Sequence, residues 1–428
     1  MKRFCVKNNS AEISKALFTA LLSVLLIFSG CRKKTPAPDS YDANLISRLY
    51  GRSEISVHIL LEENIIDCLF ETAGAFSITC PENLIPKASF EKTVEPVKIE
   101  LRNGNISFGG WMCTASEIII TTDEPHIFTL NNSAYRGNLR LILRPDANSF
   151  DVINQLAIEP YLAGVIGAEM PSYWEAAALE AQTITARTYC LYIQNRFGRN
   201  RNWDLRRTQA NQVYRGISAE SPRIWRAVNQ TIGLVLTCRV SDGNYDIFPT
   251  YYSSSCGGHT ENSANVFGDS FEALVGVKCT YCKSTARAKD FNWPDVSFKK
   301  SFVNDRLTAR YPKLKELETI VNISPASQSD YDDFTRLTRF RLAGSNGKVD
   351  FLRAEDFRLA IDSTGMKIKS TGFELKESNE NWIFTKGRGF GHGVGFCQCG
   401  AQAMAREQKN AEEILMYYYP CSKLKKIY

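Results

Sequence analysis

The reading of this chain turns on GVIGAEMPSYWEAAALEAQTITARTYCLYIQNRF, residues 164–197. An apolar run from Tyr161 to Ala168 reads as the end of a buried strand, and Glu169 stands where it stops. Met170 and Pro171 then break the chain. Ser172, with Glu175 three residues on, has the capping-box spacing that satisfies free N–H groups at a helix start. The helix is expected to end near Phe197-Gly198, and Ala176, Ala177, Ala178, Ala181 and Ala186 allow it to pack closely. At about 100° per residue, Ala178, Gln182, Ala186 and Tyr189 share one face, with Glu180, Thr183 and Arg187 roughly opposite. A carboxylate at such a corner is well held and can still face a cleft. The plainer readings are a near-cap surface acid for Glu169, core packing for Tyr189 and an ion pair with Glu180 for Arg187.

Working outward, the 428 residues exceed one small core and suggest two or three domains or one elaborated one. A hydrophobic content of 44% with 23% charge is that of an ordinary globular protein. The net charge of +6 is mild, and without a basic-aromatic stripe it gives no reason to expect nucleic acid. Residues 1–30 read as an export signal. Lys2, Arg3, Lys7 and Lys15 precede an apolar run from Leu17 to Phe28, which is shorter than the roughly 20 residues a membrane span needs. The run ends in small residues before Cys31, the pattern of a bacterial lipoprotein signal, with a plain secretory signal as the alternative. Cys31 would be the lipidated residue, 31–44 a solvated tether, and the protein an exported, membrane-anchored lipoprotein facing the periplasm or cell wall.

Residues 45–130 read as a β-rich N-terminal region. Ile55–Leu60, Val97–Leu101 and Glu117–Thr122 have strand character, with a turn at Asn103-Gly104. Residues 131–428 read as the catalytic domain: the strand Leu139–Leu143, the long helix after Glu169, a polar loop over 199–222 and a helix from Pro222 to Thr231. Further helices and strands lead to a glycine-rich C-terminal motif. The expected class is α+β.

Two constellations carry chemistry besides Glu169. Cys256, His259, Cys279 and Cys282 pair Cys-x2-His with Cys-x2-Cys, the knuckle spacing of a tetrahedral zinc site with no open position, and therefore a structural one. Disulfides or free thiols are the alternative. His259-Thr260-Glu261 with Cys279-x-x-Cys282 also imitates a zinc-deaminase signature, but Lys278 stands where that signature has proline, and Cys256 is a superfluous fourth ligand. The second constellation is His392 among Gly387, Gly389, Gly391, Gly393 and Gly395, where the backbone can approach a ligand closely, with Gln398 six residues on. The 11 cysteines beyond the export segment are odd in number, which argues against a fully paired disulfide framework; Cys68, Cys113 and Cys238 read as buried core residues.

These segments carry a resemblance. Tyr161-Leu162, Gly164-Val165-Ile166, Glu169-Met170-Pro171, Ala181-Gln182 and Ala186-Arg187-Thr188-Tyr189 resemble the core motif of the SpoIID/LytB family. Tyr252 to Glu261 and Gly391-His392-Gly393-Val394-Gly395 with Gln398 and Gly400-Ala401 resemble its other two signatures, in order. Phe396, Cys397 and Cys399 depart from the family's Met, Ser and Tyr; Cys397 and Cys399 are too close for an unstrained disulfide and could bind metal or stay reduced.

The resemblance implies a peptidoglycan lytic transglycosylase active in wall remodelling or division. It would cleave MurNAc–GlcNAc β-1,4 bonds of peptide-stripped glycan strands to 1,6-anhydro-MurNAc ends. It implies Glu169 as catalytic acid, Gln182, Arg187, Tyr189, Tyr252, Ser254, His392 and Gln398 as substrate-binding candidates, and a zinc near the Cys-Gly-Gly motif. One acid suffices because the sugar's C6 hydroxyl replaces water as nucleophile, provided that Glu169 is protonated at rest against an apolar wall such as Met170, Tyr173 and Trp174. The alternative the family offers is a non-catalytic glycan-binding partner that enhances an N-acetylmuramoyl-L-alanine amidase.

Overall fold

The computed structural model describes residues 55–428 apart from 82, 94, 241 and 242. The export signal, the tether and Cys31 lie outside the described residues. The chain divides into two compact units, one ending at Ala168 and including Asn200–Pro222, the other built from Glu169–Arg199 and Arg223–Tyr428. The fold is α+β, with the β-rich part first.

Alternation of apolar and polar residues dictates the first unit. Phe76–Cys80 and Glu117–Thr122 bury every second side chain, as strands with one face on a core must. Seven strands form one sheet in the order Leu205–Arg206, Ser56–Ile65, Phe150–Ala157, Asn138–Leu143, Glu117–Thr122, Phe76–Cys80 and Asn83–Phe90. Six others, between Asp67 and Arg136, form a second sheet. Phe70 and Phe108 of the second sheet meet Phe76 of the first at 5.5 and 5.8 Å between ring centroids, so the sheets share an aromatic core. The boundary expected after residue 130 falls inside a hairpin, because Ile127–Leu130 pairs with Ser133–Arg136. The β-rich part therefore continues to Ala157.

The run expected to be a strand end is helix α1, Ile158–Glu169. A run apolar on every side has no period from which to tell strand from helix. Pro160 decides it, since proline in a first helical turn gives up no hydrogen bond. Gly164 and Gly167 lie one turn apart on α1, and Cβ atoms there would come within 2.4 Å of the Tyr214 ring and 1.8 Å of the Ala219 carbonyl oxygen. Of the polar loop expected over 199–222, Asn200–Pro222 packs into this unit. Tyr214 is buried and donates to Asn154 Oδ1 at 2.9 Å, and buried Arg136 grips Glu220 with two 2.8 Å bonds.

In the second unit helix α2, Ala176–Phe197, is buried on almost every side. Its expected capping box does not form. Residues 171–174 make a turn, and the helix-entry residue Glu175 gives its N–H to Gln402 Oε1 at 2.9 Å. Helix α3, Pro222–Gln230, leads into Leu234–Arg239, the central strand of a three-stranded sheet completed by Tyr245–Ile247 and Lys423–Lys426.

Residues 292–388 form an insertion with α4, Lys300–Arg310, and α5, Ala354–Ile361. Its own core contains Trp293, Leu307, Phe340, Phe357, Phe373 and Phe384. Helix α5 separates the strands Thr335–Gly344 and Val349–Arg353 from Gly372–Glu377 and Asn381–Arg388. Helices α6, Gln398–Arg406, and α7, Ala411–Tyr418, close the chain. Among the described residues no helix is long and apolar enough to cross a membrane.

Replacing Gly167 with valine should push α1 off residue Ala219 and lower unfolding free energy by about 1–3 kcal/mol, read from urea denaturation. An unchanged midpoint would contradict this close approach.

Candidate functional site

The second and third sequence motifs are built into one another. Tyr252–Ser253 runs parallel to Phe396–Cys397, with Tyr252 opposite Phe396 and Ser253 opposite Cys397. Ser255 and Phe390 exchange backbone bonds of 3.1 and 2.8 Å, and Glu261 N–H reaches the Gly393 carbonyl at 2.8 Å. Such proximity excludes side chains: at Gly391 (φ +103) a Cβ would lie 2.7 Å from Ser253 Cβ, and at Gly395 (φ +68) one would lie 2.3 Å from the Tyr251 oxygen.

Glu169 is the last residue of α1 and half-buried. The Tyr252 hydroxyl donates to its Oε1 across 3.4 Å, a long contact. Tyr252 is in turn held by His392, whose Nε2 bonds the Tyr252 carbonyl at 2.9 Å. Because His392 Nδ1 accepts from the Val394 N–H at 3.0 Å, the ring proton sits on Nε2. Both ring nitrogens are therefore engaged with backbone. His392, half-buried, thus supports Tyr252 through the backbone.

The remaining expected contacts divide similarly. Gln182 is wholly buried, and its Oε1 accepts from Gln398 Nε2 at 3.3 Å, so this pair ties α2 to α6. Arg187 is also wholly buried, with Nη1 donating to the Leu234 carbonyl at 3.0 Å. It holds the central strand of the sheet and does not offer its charge to a ligand at the surface. Tyr189 lies edge-on to Tyr252 with ring centroids 6.4 Å apart. Ser254, half-buried, accepts the Cys399 N–H at its carbonyl, 3.0 Å away.

Sequence reasoning missed a wall behind His392. The Tyr251 ring stacks on Phe267 at 4.0 Å, and Phe267 meets the His392 ring at 5.1 Å. The Tyr251 hydroxyl donates to Asp269 Oδ2 at 2.7 Å; burial, and then this carboxylate, push the phenol's pKa up. The doubled Tyr251-Tyr252 was the available signal.

The expected zinc set is altered. The sulfurs of Cys256, Cys279 and Cys282 do come together, but with Cys397, all four within 4.8 Å of one another. His259 is not among them: Gly257 and Gly258, at φ +78 and +126, turn the chain, and the His259 ring stacks on Tyr331 at 4.1 Å. Burial pushes the Cys256 and Cys397 thiols up, whereas hydrogen bonding from Cys256 and its neighbours pulls Cys282 down.

Comparison with known proteins fits this geometry. A family described as Stage II sporulation protein matches residues 146–238, which include Glu169 and all of α2. An uncharacterized protein of Brachyspira hyodysenteriae is 32% identical over 68% of this chain and 72% of its own length. Stage II sporulation protein D of Bacillus subtilis is 29% identical over 62% of this chain and 74% of its own length. The Amidase enhancer of the same organism is 29% identical over 60% of this chain and 39% of its own.

Burial lowers the His392 pKa from 6.5 to about 4, partly offset by the charge of Glu355. Between those values the unfolded chain binds the extra proton. The stability that neutral His392 contributes is therefore complete above about pH 6.5 and is lost as pH falls toward 4. Unfolding midpoints at pH 7 and pH 5 should differ less in His392→Gln than in the native protein. An equal difference would remove His392 as the source.

Proposed function

Because this chain belongs to the SpoIID/LytB family, whose members have a cell-wall-related function, we propose that it is a peptidoglycan lytic transglycosylase with Glu169 as its acid and base. The observation that carries this reading is the 3.4 Å approach of the Tyr252 hydroxyl to the Glu169 carboxyl group. It joins the first motif to the second, and His392 fastens the third to the second.

In the proposed reaction Glu169 gives its proton to the glycosidic oxygen as the bond from C1 of MurNAc to that oxygen breaks. The C6 hydroxyl of the same sugar then attacks C1, and Glu169 takes the proton it sheds. The acid is regenerated, water takes no part, and the products are a free 4-hydroxyl on GlcNAc and a 1,6-anhydro-MurNAc end. Tyr252 orients the carboxyl group through both halves of the cycle. His392 holds the Tyr252 carbonyl, and Tyr251 packs against the His392 ring, so both act through Tyr252.

Peptide-free glycan strands incubated with native protein should yield anhydro-MurNAc ends by mass spectrometry. Glu169→Gln should lower the rate by about 10²–10⁴-fold, and Tyr252→Phe by a smaller factor that falls on kcat more than on KM. Reducing ends would point to a hydrolase using a second carboxylate.

A second reading is favoured by the relative named Amidase enhancer. On it the same site holds glycan without cutting it and serves an N-acetylmuramoyl-L-alanine amidase. Retained glycan binding with no cleavage product would support this reading over the first. Under either reading we propose export and anchoring through an acylated Cys31, which an acyl mass on a mature N-terminus at that residue would verify.

A further inference from the structure

Four cysteine sulfurs drawn from three separate stretches meet inside the second unit. Cys256 follows the Tyr252 strand, Cys279 and Cys282 form a short knuckle, and Cys397 ends the strand paired with Tyr252–Ser253. None of the four is more than 1% exposed, all four sulfurs lie within 4.8 Å of one another, and none is in a disulfide. The Cys256 and Cys282 sulfurs are 3.7 Å apart. Four thiolates set tetrahedrally at about 2.3 Å from zinc lie about 3.8 Å from each other, whereas a disulfide would draw two of them to about 2.0 Å.

The surroundings fit an anionic metal centre. Arg336 is fully buried, and its Nη2 donates to the Cys256 carbonyl at 2.6 Å. Its Nε and Nη1 have no hydrogen-bond partner among the described residues. A buried guanidinium so placed is costly unless negative charge lies nearby, and the Glu355 carboxylate supplies part of it. One divalent ion with four thiolates carries a net charge of −2. The Cys256 N–H points at Cys397 Sγ, 3.3 Å away, and the Tyr418 hydroxyl lies 3.2 Å from Cys279 Sγ. Donors of this kind orient thiolate ligands and damp their charge.

We infer that Cys256, Cys279, Cys282 and Cys397 bind one zinc ion, and that His259 is no part of the site. Binding displaces the four thiol protons and changes no oxidation state. With every position filled by protein the metal has no open site for substrate, so its work is structural. It fastens the Cys256 loop to the Cys397 strand, immediately beside the pairing that carries Tyr252.

The test uses full-length protein purified without chelators or a metal-affinity tag. Elemental analysis should find about one zinc per chain in the native protein and in His259→Ala, and far less in Cys397→Ser. Since Cys397→Ser can fail to fold, the native protein is also exchanged with cobalt. The intensity of its sulfur-to-cobalt charge-transfer bands counts ligands and should correspond to four thiolates. The inference is overturned by native protein without metal whose cysteines are free or in disulfides, by iron in place of zinc, by zinc lost from His259→Ala and kept in Cys397→Ser, or by a three-thiolate cobalt spectrum. None of these readouts depends on glycan cleavage, so the inference stands or falls apart from the catalytic reading.

Discussion

Two stretches of backbone, 252–261 and 389–397, lie closer together than side chains permit, and the site depends on that approach. Gly391 and Gly395 make it sterically possible, and the bonds between Ser255 and Phe390 and between Glu261 and Gly393 fix its register. From this one register follow the bond between the Tyr252 carbonyl and His392 Nε2, the approach of the Tyr252 hydroxyl to Glu169, and the meeting of Cys256 with Cys397. A shift by one residue would move every side chain of one stretch to the opposite face. The glycines therefore act on the site through geometry rather than by touching a ligand.

Helix α2 supplies the rigid floor. It is unusual in carrying Gln182, Thr183, Thr185, Arg187 and Thr188 wholly inside. Threonine hydroxyls at 183 and 188 return to the carbonyls one turn back, Thr188 also receives the Leu236 N–H, and Thr250 bonds the Thr185 carbonyl. Most of the buried polar groups thus have a named partner, which links the helix to the strand after it more specifically than apolar contact could.

Much of this was legible in the sequence and some of it was not, for identifiable reasons. Short runs of β-branched residues such as Glu117–Thr122 announced their strands by composition, since Ile and Thr favour the pleated backbone. The run before Glu169 misled because a helix buried all round shows no period, and only Pro160 discriminated. Three cysteines of the sulfur cluster were visible from the knuckle spacing. Cys397 was marked as able to bind metal but not joined to this set, since it is 115 residues from Cys282 and a histidine stood at ligand spacing within the local motif. Gln182, Arg187 and His392 were picked out as chemically able side chains. Sequence shows ability but not exposure, and their partners prove to be the fold itself.

The insertion over 292–388 enters and leaves by adjacent strands, for Asn292 pairs with Arg388. Topologically it is a detachable module, and a short turn could join its two ends. Chemically it is not detachable. Ser329 and Tyr331 satisfy the buried Glu261 carboxylate, and Arg336 reaches the Cys256 carbonyl. An evolutionary loss of this module would strand an acid and a carbonyl in the host. Its length is free to drift while residues 261, 329, 331 and 336 are bound to change together.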